Sequence, residues 1–177
     1  GDYAADGRPM GVTPRMRQVA GDFEAAQVPV RLSEDLLSAR WHKLVWNIPY
    51  NALSVIRGAT TDRLMATPED RAHVERIMRE VVAAARGCGR VIEDAFVRKM
   101  LDDTLRMQPY KTSMLLDWEA GRPLEVDAIY GRPILAAHAA GVRVPMIEEL
   151  ERQLRALEAR RHGAGAAASG TVPGTAS

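Results

Sequence analysis

Residues 41–55, WHKLVWNIPYNALSV, are apolar around most of a helix and polar along one narrow stripe. At about 100° per residue, with Lys43 set at zero, Asn47 falls at about 40°, Asn51 at about 80° and Ser54 at about 20°. Trp41, Leu44, Val45, Trp46, Ile48, Ala52, Leu53 and Val55 take up most of the remaining circumference. A helix apolar over most of its girth is a buried helix, so the rest of the chain must wrap it. Its stripe holds an ammonium, two carboxamides and a hydroxyl, and buried polar groups need partners from the protein or from a ligand. A solvated helix face is the plain alternative. Against it, a surface stripe is normally richer in Glu, Lys and Arg. Asn is a poor helix former because its side chain competes for nearby backbone groups. Pro49 removes a helical N–H and leaves the Val45 carbonyl without that partner. Local rules broken together in one stretch point to a functional site.

The chain has 177 residues, enough for one domain with a substantial core and an appendage. A net charge of +1, with basic and acidic residues interleaved, carries no nucleic-acid signature. The single cysteine, Cys88, excludes an internal disulfide framework and fits a reducing, cytoplasmic setting. Lying between Gly87 and Gly89, it reads as a packed side chain rather than a nucleophile. No apolar run approaches the ~20 residues that span a bilayer, and no signal peptide is visible. Residue 1 is not Met, so it is not expected to be a natural start.

Residues 1–12 are loop-like, with three glycines and a proline. Thr13 caps a helix with Pro14 at its first position, ending near Ala26. The sequence from Val28 through Pro29 to Val30 then reads as extended. A helix and a strand cannot make a sheet alone, so residues 1–31 are expected to be the α/β remnant of a domain whose other strands lie outside this chain. From residue 32 the pattern is helical. Ser33, Glu34 and Asp35 open the central helix, which stops at Gly58. A short turn at 61–65 is followed by a long helix from Thr67 to about Arg86, with Val74, Ile77, Met78, Val81 and Val82 inward. Further helices cover 93–107, 113–120, 125–140 and 145–161; the last is laced with Glu and Arg and is expected to be largely surface. Residues 162–177, HGAGAAASGTVPGTAS, are expected to be a disordered tail. The body, 32–161, is therefore a mainly α, multi-helix domain.

Three clusters carry candidate chemistry. A lysine in a desolvated pocket has a lowered pKa and can donate a proton near neutrality, which makes Lys43 a candidate acid. Asn47 and Asn51, on the next turns, can hold substrate oxygens. In YKTSM (110–114), Thr112 or Ser113 caps the next helix, and a helix start suits a carboxylate or phosphate; an ordinary N-cap is the simpler account. In GRPLEVD (121–127), Glu125 and Asp127 open a helix, either complementing its dipole or aiming a carboxylate at hydroxyls or at Lys43. Gly131 is read as permitting close helix approach. The four histidines are scattered and make no metal set. Gly-rich phosphate loops of the GxGxxG or GxxxxGK[ST] kind are absent.

These clusters, in this order, resemble the C-terminal domain of the ketopantoate reductase family. That family's pattern runs W-x-K-L-x-x-N-x-x-x-N, S-M-L-x-D, G-R-x-x-E-x-D-x-x-x-G and G-x-x-x-P. Here it reads WHKLVWNIPYN from Trp41 to Asn51, SMLLD from Ser113, GRPLEVDAIYG from Gly121 to Gly131, and GVRVP from Gly141. The resemblance covers nearly the whole chain except the tail. It implies a helical domain of the 6-phosphogluconate-dehydrogenase-like type, with residues 1–31 as the last helix and strand of a Rossmann-type NADP-binding domain. It implies Lys43 as the general acid, Asn47, Asn51 and Ser113 as substrate contacts, and Glu125 as a cleft residue touching cofactor or substrate. It further implies NADP(H) as cofactor, held mainly by a domain outside this chain, ketopantoate as substrate, pantothenate synthesis as the setting, and a possible homodimer through the helical domain. Two departures stand out. The family's Gly-rich loop lies upstream of anything here, so the chain alone is expected to be inactive. Where many members carry a further amide, this chain has Thr60 and Thr61, which leaves open a related reductase for another 2-keto acid. A non-enzymatic helical dimerisation module is the remaining alternative.

Overall fold

A computed structural model describes residues 1–2 and 4–169, and every assigned element among them is helical. The chain-terminal stretch 170–177, part of the expected tail, lies outside the described residues. Helix α1, Pro14–Ala25, starts as its sequence requires: Thr13 accepts a hydrogen bond from the Met16 N–H and Pro sits at the first position. The segment expected as a strand, 28–30, forms none. A strand exists only through a backbone ladder to a neighbour, and the described residues supply no neighbour.

Helix α2, Leu36–Arg57, is the axis of the domain. Its cap is Asp35 rather than Ser33; the carboxylate accepts the N–H groups of Leu37 and Ser38 at 2.9 and 3.1 Å. Burial alone would raise that carboxyl, but the Ser38 N–H and the Arg90 guanidinium outweigh it and hold Asp35 below the usual range. Arg90 also donates to the carbonyls of Cys88 and Gly7, so one side chain ties the N-terminal loop, the α2 cap and the turn at Cys88 together. At the far end Gly58 adopts φ 59°, the left-handed cap glycine favours.

Around α2 pack α3 (Thr61–Leu64), α4 (Pro68–Gly87), α6 (Ser113–Glu119), a π turn (Asp127–Gly131) and α8 (Pro145–Ser169). Helices α5 (Asp94–Arg106) and α7 (Arg132–Ala139) pack outside, on α4. Val45, Ile48, Ala52 and Val55 of α2 meet Val74, Ile77, Met78 and Val81 of α4 in one continuous core. The stretch expected as a single helix over 125–140 is interrupted by the π turn, a wider coil that frequently marks functional segments. Within it Gly131 performs its expected task. A Cβ there would stand 2.9 Å from an Asp127 carboxylate oxygen and 3.3 Å from one of Glu151 on α8.

Helix α8 departs from expectation twice. Ile147, Leu150 and Leu154 are buried, so it is a core helix with a charged back rather than a surface helix. It also continues past Arg161 to Ser169, because the segment is rich in alanine, the best helix former. Its first turn is capped from α4: the Glu80 carboxylate accepts the Ile147 N–H at 2.8 Å. Burial pushes the Glu80 carboxyl up, against the lowering effect of the Ile147 and Met146 N–H groups. A carboxyl raised in the folded state stabilises the fold fully below its unfolded pKa, and that contribution is lost as pH rises through the folded pKa. Glu80→Gln keeps the acceptor and removes the buried charge. It is expected to be at least as stable as the parent at pH 7, with the difference vanishing below pH 4. Glu80→Ala, which leaves the N–H uncapped, is expected to cost about 1 kcal/mol. Urea unfolding across that pH range checks both.

Candidate functional site

The polar stripe of α2 lies at different depths along its length. Ser54 is fully buried and its hydroxyl is spoken for. It pairs with the Thr112 hydroxyl at 2.6 Å and donates to the Asn51 carbonyl at 3.0 Å. Thr112 is the cap of α6, accepting the Leu115 N–H. The simpler account therefore holds for Thr112, while Ser113, the first residue of α6, is left exposed with no side-chain hydrogen bond among the described residues. The Ser54–Thr112 bond anchors the start of α6 to the stripe, one turn from Asn51.

Asn51 is 2% exposed. Its carboxamide makes no hydrogen bond among the described residues, and there no fully buried side-chain polar atom lacks a partner. The amide therefore opens onto a surface from an otherwise enclosed side chain. Asn47, half-buried one turn earlier, is likewise without a side-chain partner among the described residues.

Lys43 requires a correction. It was expected out of water, yet it is exposed and forms no ion pair or hydrogen bond among the described residues. A helical wheel averages over the length of a helix, whereas burial here is graded along it. Trp41, on the same turn as Lys43, is buried in the core and Leu44 packs against it, so that turn is covered on those faces and open on the one that carries Lys43. Glu125 is also exposed, in the loop before the π turn, and does not pair with Lys43. The π turn itself is fastened to α2 by Tyr130, whose hydroxyl donates to the Ile48 carbonyl at 2.9 Å. Thus α2 contributes Lys43, Asn47 and Asn51, and the elements carrying Ser113 and Glu125 are each bonded to α2, but the lysine and the glutamate are not brought into contact.

The side chains of Tyr50 and Tyr130 are both fully buried. Burial pushes Tyr50 up to about 12 and Tyr130 further still. No group of His, Cys, Asp and Glu among the described residues is arranged to hold a metal. Cys88 is packed, its thiol 3.5 Å from the Ala136 carbonyl and raised by burial. His42 bonds through Nδ1 to the Ser38 carbonyl and stands edge-on to Phe96, as a structural residue does.

Residue spacing alone did not single out an aromatic flank. Trp46 stacks at 4.7 Å on Tyr50 and lies 6.3 Å from the Tyr110 ring. Thr61 holds the Tyr110 backbone from both sides: its N–H donates to the Tyr110 carbonyl and its hydroxyl accepts the Tyr110 N–H. The available signal was adjacency, since Trp46 precedes Asn47 and Tyr110 lies three residues before Ser113.

The comparisons agree with this architecture. Residues 35–158 match the family model described as ketopantoate reductase PanE/ApbA C terminal. A 2-dehydropantoate 2-reductase from Nostoc sp. is 50% identical over 160 residues, covering 90% of this chain and 50% of the relative. Crystal structures of 2-dehydropantoate 2-reductases from Methylococcus capsulatus and Geobacter metallireducens superpose with TM-scores of 0.80 at 37% and 39% identity. They cover 85% and 82% of this chain and 48% and 49% of theirs. The chain spans about half the length of these relatives.

Proposed function

The chain belongs to the ketopantoate reductase family through its C-terminal domain, and from that membership we propose that it is the substrate-side half of an NADPH-dependent 2-dehydropantoate 2-reductase, acting on ketopantoate in pantothenate synthesis. The observation that carries this reading is Asn51: an enclosed carboxamide with no hydrogen-bond partner among the described residues, on the same stripe as Asn47 and Lys43 and one turn from the anchored start of α6. A ligand rich in oxygens is what such an amide lacks.

Reduction of a ketone places negative charge on its oxygen, and a fixed cation there acts most strongly in the transition state. Lys43 supplies that charge and then the proton that turns the oxygen into a hydroxyl. Asn47 and Asn51 donate to the substrate's oxygens and fix its pose. The Ser113 hydroxyl donates to its carboxylate, and Glu125 lines the cleft on the cofactor side. NADP(H) would be held mainly by an upstream half, since the described residues offer no strand leading through a glycine turn into a helix. The part of this chain is to bind, orient and protonate.

An upstream α/β half also accounts for two exposed features. Val19, Phe23 and Val28 stand uncovered on α1 and the segment after it, beside a groove of about 910 Å³. They suit burial against the sheet of which 28–30 would be the last strand. Closure of that half over α2 would take Lys43 out of water. Soluble, cytoplasmic residence and association through the helical domain belong to the same proposal; no helix among the described residues is long and apolar enough to cross a membrane.

The test is turnover. This chain, joined after the nucleotide-binding half of the Nostoc relative, is expected to oxidise NADPH when ketopantoate is added, and the chain alone is not. A folded joined protein with no ketopantoate-dependent oxidation supports the alternative, a helical association module.

A further inference from the structure

Segments distant in sequence cross at the foot of α2. Gly1 rests against Ser33 and Leu36; a Cβ on it would stand 2.9 Å from the Ser33 carbonyl oxygen. The N–H groups of Met10 and Gly11 both donate to the Glu34 carbonyl, at 3.1 and 3.0 Å. The chain therefore leaves for α1 and returns to α2 at one place. In between, α1 stands apart. Met16 and Ala20 are buried but lie outside the core cluster around α2, and among the described residues α1 makes no extensive packing with another helix. Arg90 reaches this crossing from the far side. Its backbone is fixed at the end of α4, where its N–H donates to the Ala85 carbonyl at 2.8 Å. Its side chain is 18% exposed. From it Nη2 donates to the Gly7 carbonyl at 2.6 Å, Nε to one Asp35 oxygen at 3.1 Å and Nη1 to the Cys88 carbonyl at 2.9 Å. The other Asp35 oxygen caps α2.

We infer that Arg90 is a positioning residue for the reduction: it fixes the angle at which the upstream half meets α2, and with it the line from hydride donor to ketone carbon. This rests on the function proposed above. A guanidinium is planar and its donors point in fixed directions, so three acceptors on it hold the entering segment, α2 and the end of α4 in one arrangement. Capping α2 would need only the Asp35 contact. The bond to Gly7 adds nothing to either helix; it couples both to the segment that runs into α1. Lys43 lies eight residues along α2 from this cap, about 12 Å, so a tilt at the crossing is carried to the lysine's end of the cleft. Misplacement of the reacting atoms by about 1 Å is enough to slow a reaction up to about a hundredfold.

Single-turnover stopped flow on the joined protein, with enzyme in excess over NADPH and ketopantoate saturating, separates alignment from folding. The amplitude counts competent molecules, and the rate constant reports how well each is aligned. Arg90→Lys keeps a cation beside Asp35 but cannot span three acceptors. It is expected to lower the rate constant about tenfold at the parent's amplitude, with the half-saturating ketopantoate concentration unchanged because the polar stripe is intact. Arg90→Ala is expected to be at least as slow. A parental rate constant in both variants, or a loss of amplitude alone, makes Arg90 a structural tie and overturns the inference while the proposed function stands. A Lys variant as fast as the parent beside a slow Ala variant assigns the effect to charge and overturns it too. If the joined parent shows no ketopantoate-dependent oxidation, the proposed function fails and the inference with it.

Discussion

In a protein that joins this chain to a nucleotide-binding half, Lys43→Ala is expected to lower kcat for ketopantoate reduction by about a thousandfold, with KM changed far less. The division follows from the proposed roles. The groups proposed to hold the substrate, Asn47, Asn51 and Ser113, remain, and what is lost is a charge and a proton needed chiefly as the oxygen becomes negative. Lys43→Arg is expected to fail nearly as badly, because a guanidinium keeps the charge but does not release its proton. Asn51→Ala should show the opposite signature, a raised KM with a smaller loss in kcat. Structural damage is easily separated from these effects. Lys43 is exposed and touches no hydrogen-bonding partner among the described residues, so the isolated chain carrying Lys43→Ala should unfold in urea at the parent's midpoint. Steady-state kinetics of the three variants, with that control, distinguishes a catalytic lysine from a surface one.

The second large effect concerns stability. Leu154→Ala is expected to cost about 2–4 kcal/mol, a large part of the ~5–15 kcal/mol available to a domain. Leu154 is fully buried in the cluster that also holds Ile147 and Leu150 of α8 and the apolar face of α2. Arg152, on the charged back of the same helix, pairs with Glu149 in the open, and Arg152→Ala should change stability by less than about 0.5 kcal/mol. Urea unfolding of both variants, read as a midpoint shift at constant slope, measures the contrast. A Leu154→Ala chain as stable as its parent would show that α8 is not part of the core.

That contrast shows where the sequence is legible. Local signals read well. Thr13 with Pro14, Thr67 with Pro68 and Gly58 each start or stop a helix where their chemistry demands. The inward face of α4 was visible in its spacing. The burial of α8 was hidden because its apolar residues look sparse among many Glu and Arg, although Ile147, Leu150, Leu154 and Leu157, at spacings of three and four, make a continuous stripe. The π turn carries no propensity signature of its own; it arises where Gly131 lets α8 approach. The segment 28–30 has strand-like composition, but pairing is a property of two segments, and only one is in view.

The site divides similarly. Asn51 and Ser113 follow from the resemblance and from chemistry, and the structure adds that one is enclosed and both are without side-chain partners among the described residues. The choice of Thr112 over Ser113 as the cap of α6 was open in the sequence and is resolved by the Leu115 N–H. The exposure of Lys43 was beyond reach, since residue spacing reports which face of a helix is apolar and not whether a neighbour covers the polar face at a given turn, and here Trp41 is buried while Lys43 beside it is open. The aromatic flank depends on Thr61 and Thr104, residues distant in sequence whose hydroxyls fix Tyr110 and Trp46.

A crystal structure of the joined protein with ketopantoate bound tests the assembly most directly. The ketone oxygen should lie within about 3 Å of Lys43 Nζ, with the Asn51 amide on a second substrate oxygen and the carboxylate at Ser113. A substrate bound elsewhere, with the Lys43 ammonium still in open solvent, would contradict the assignment of this face as the catalytic one.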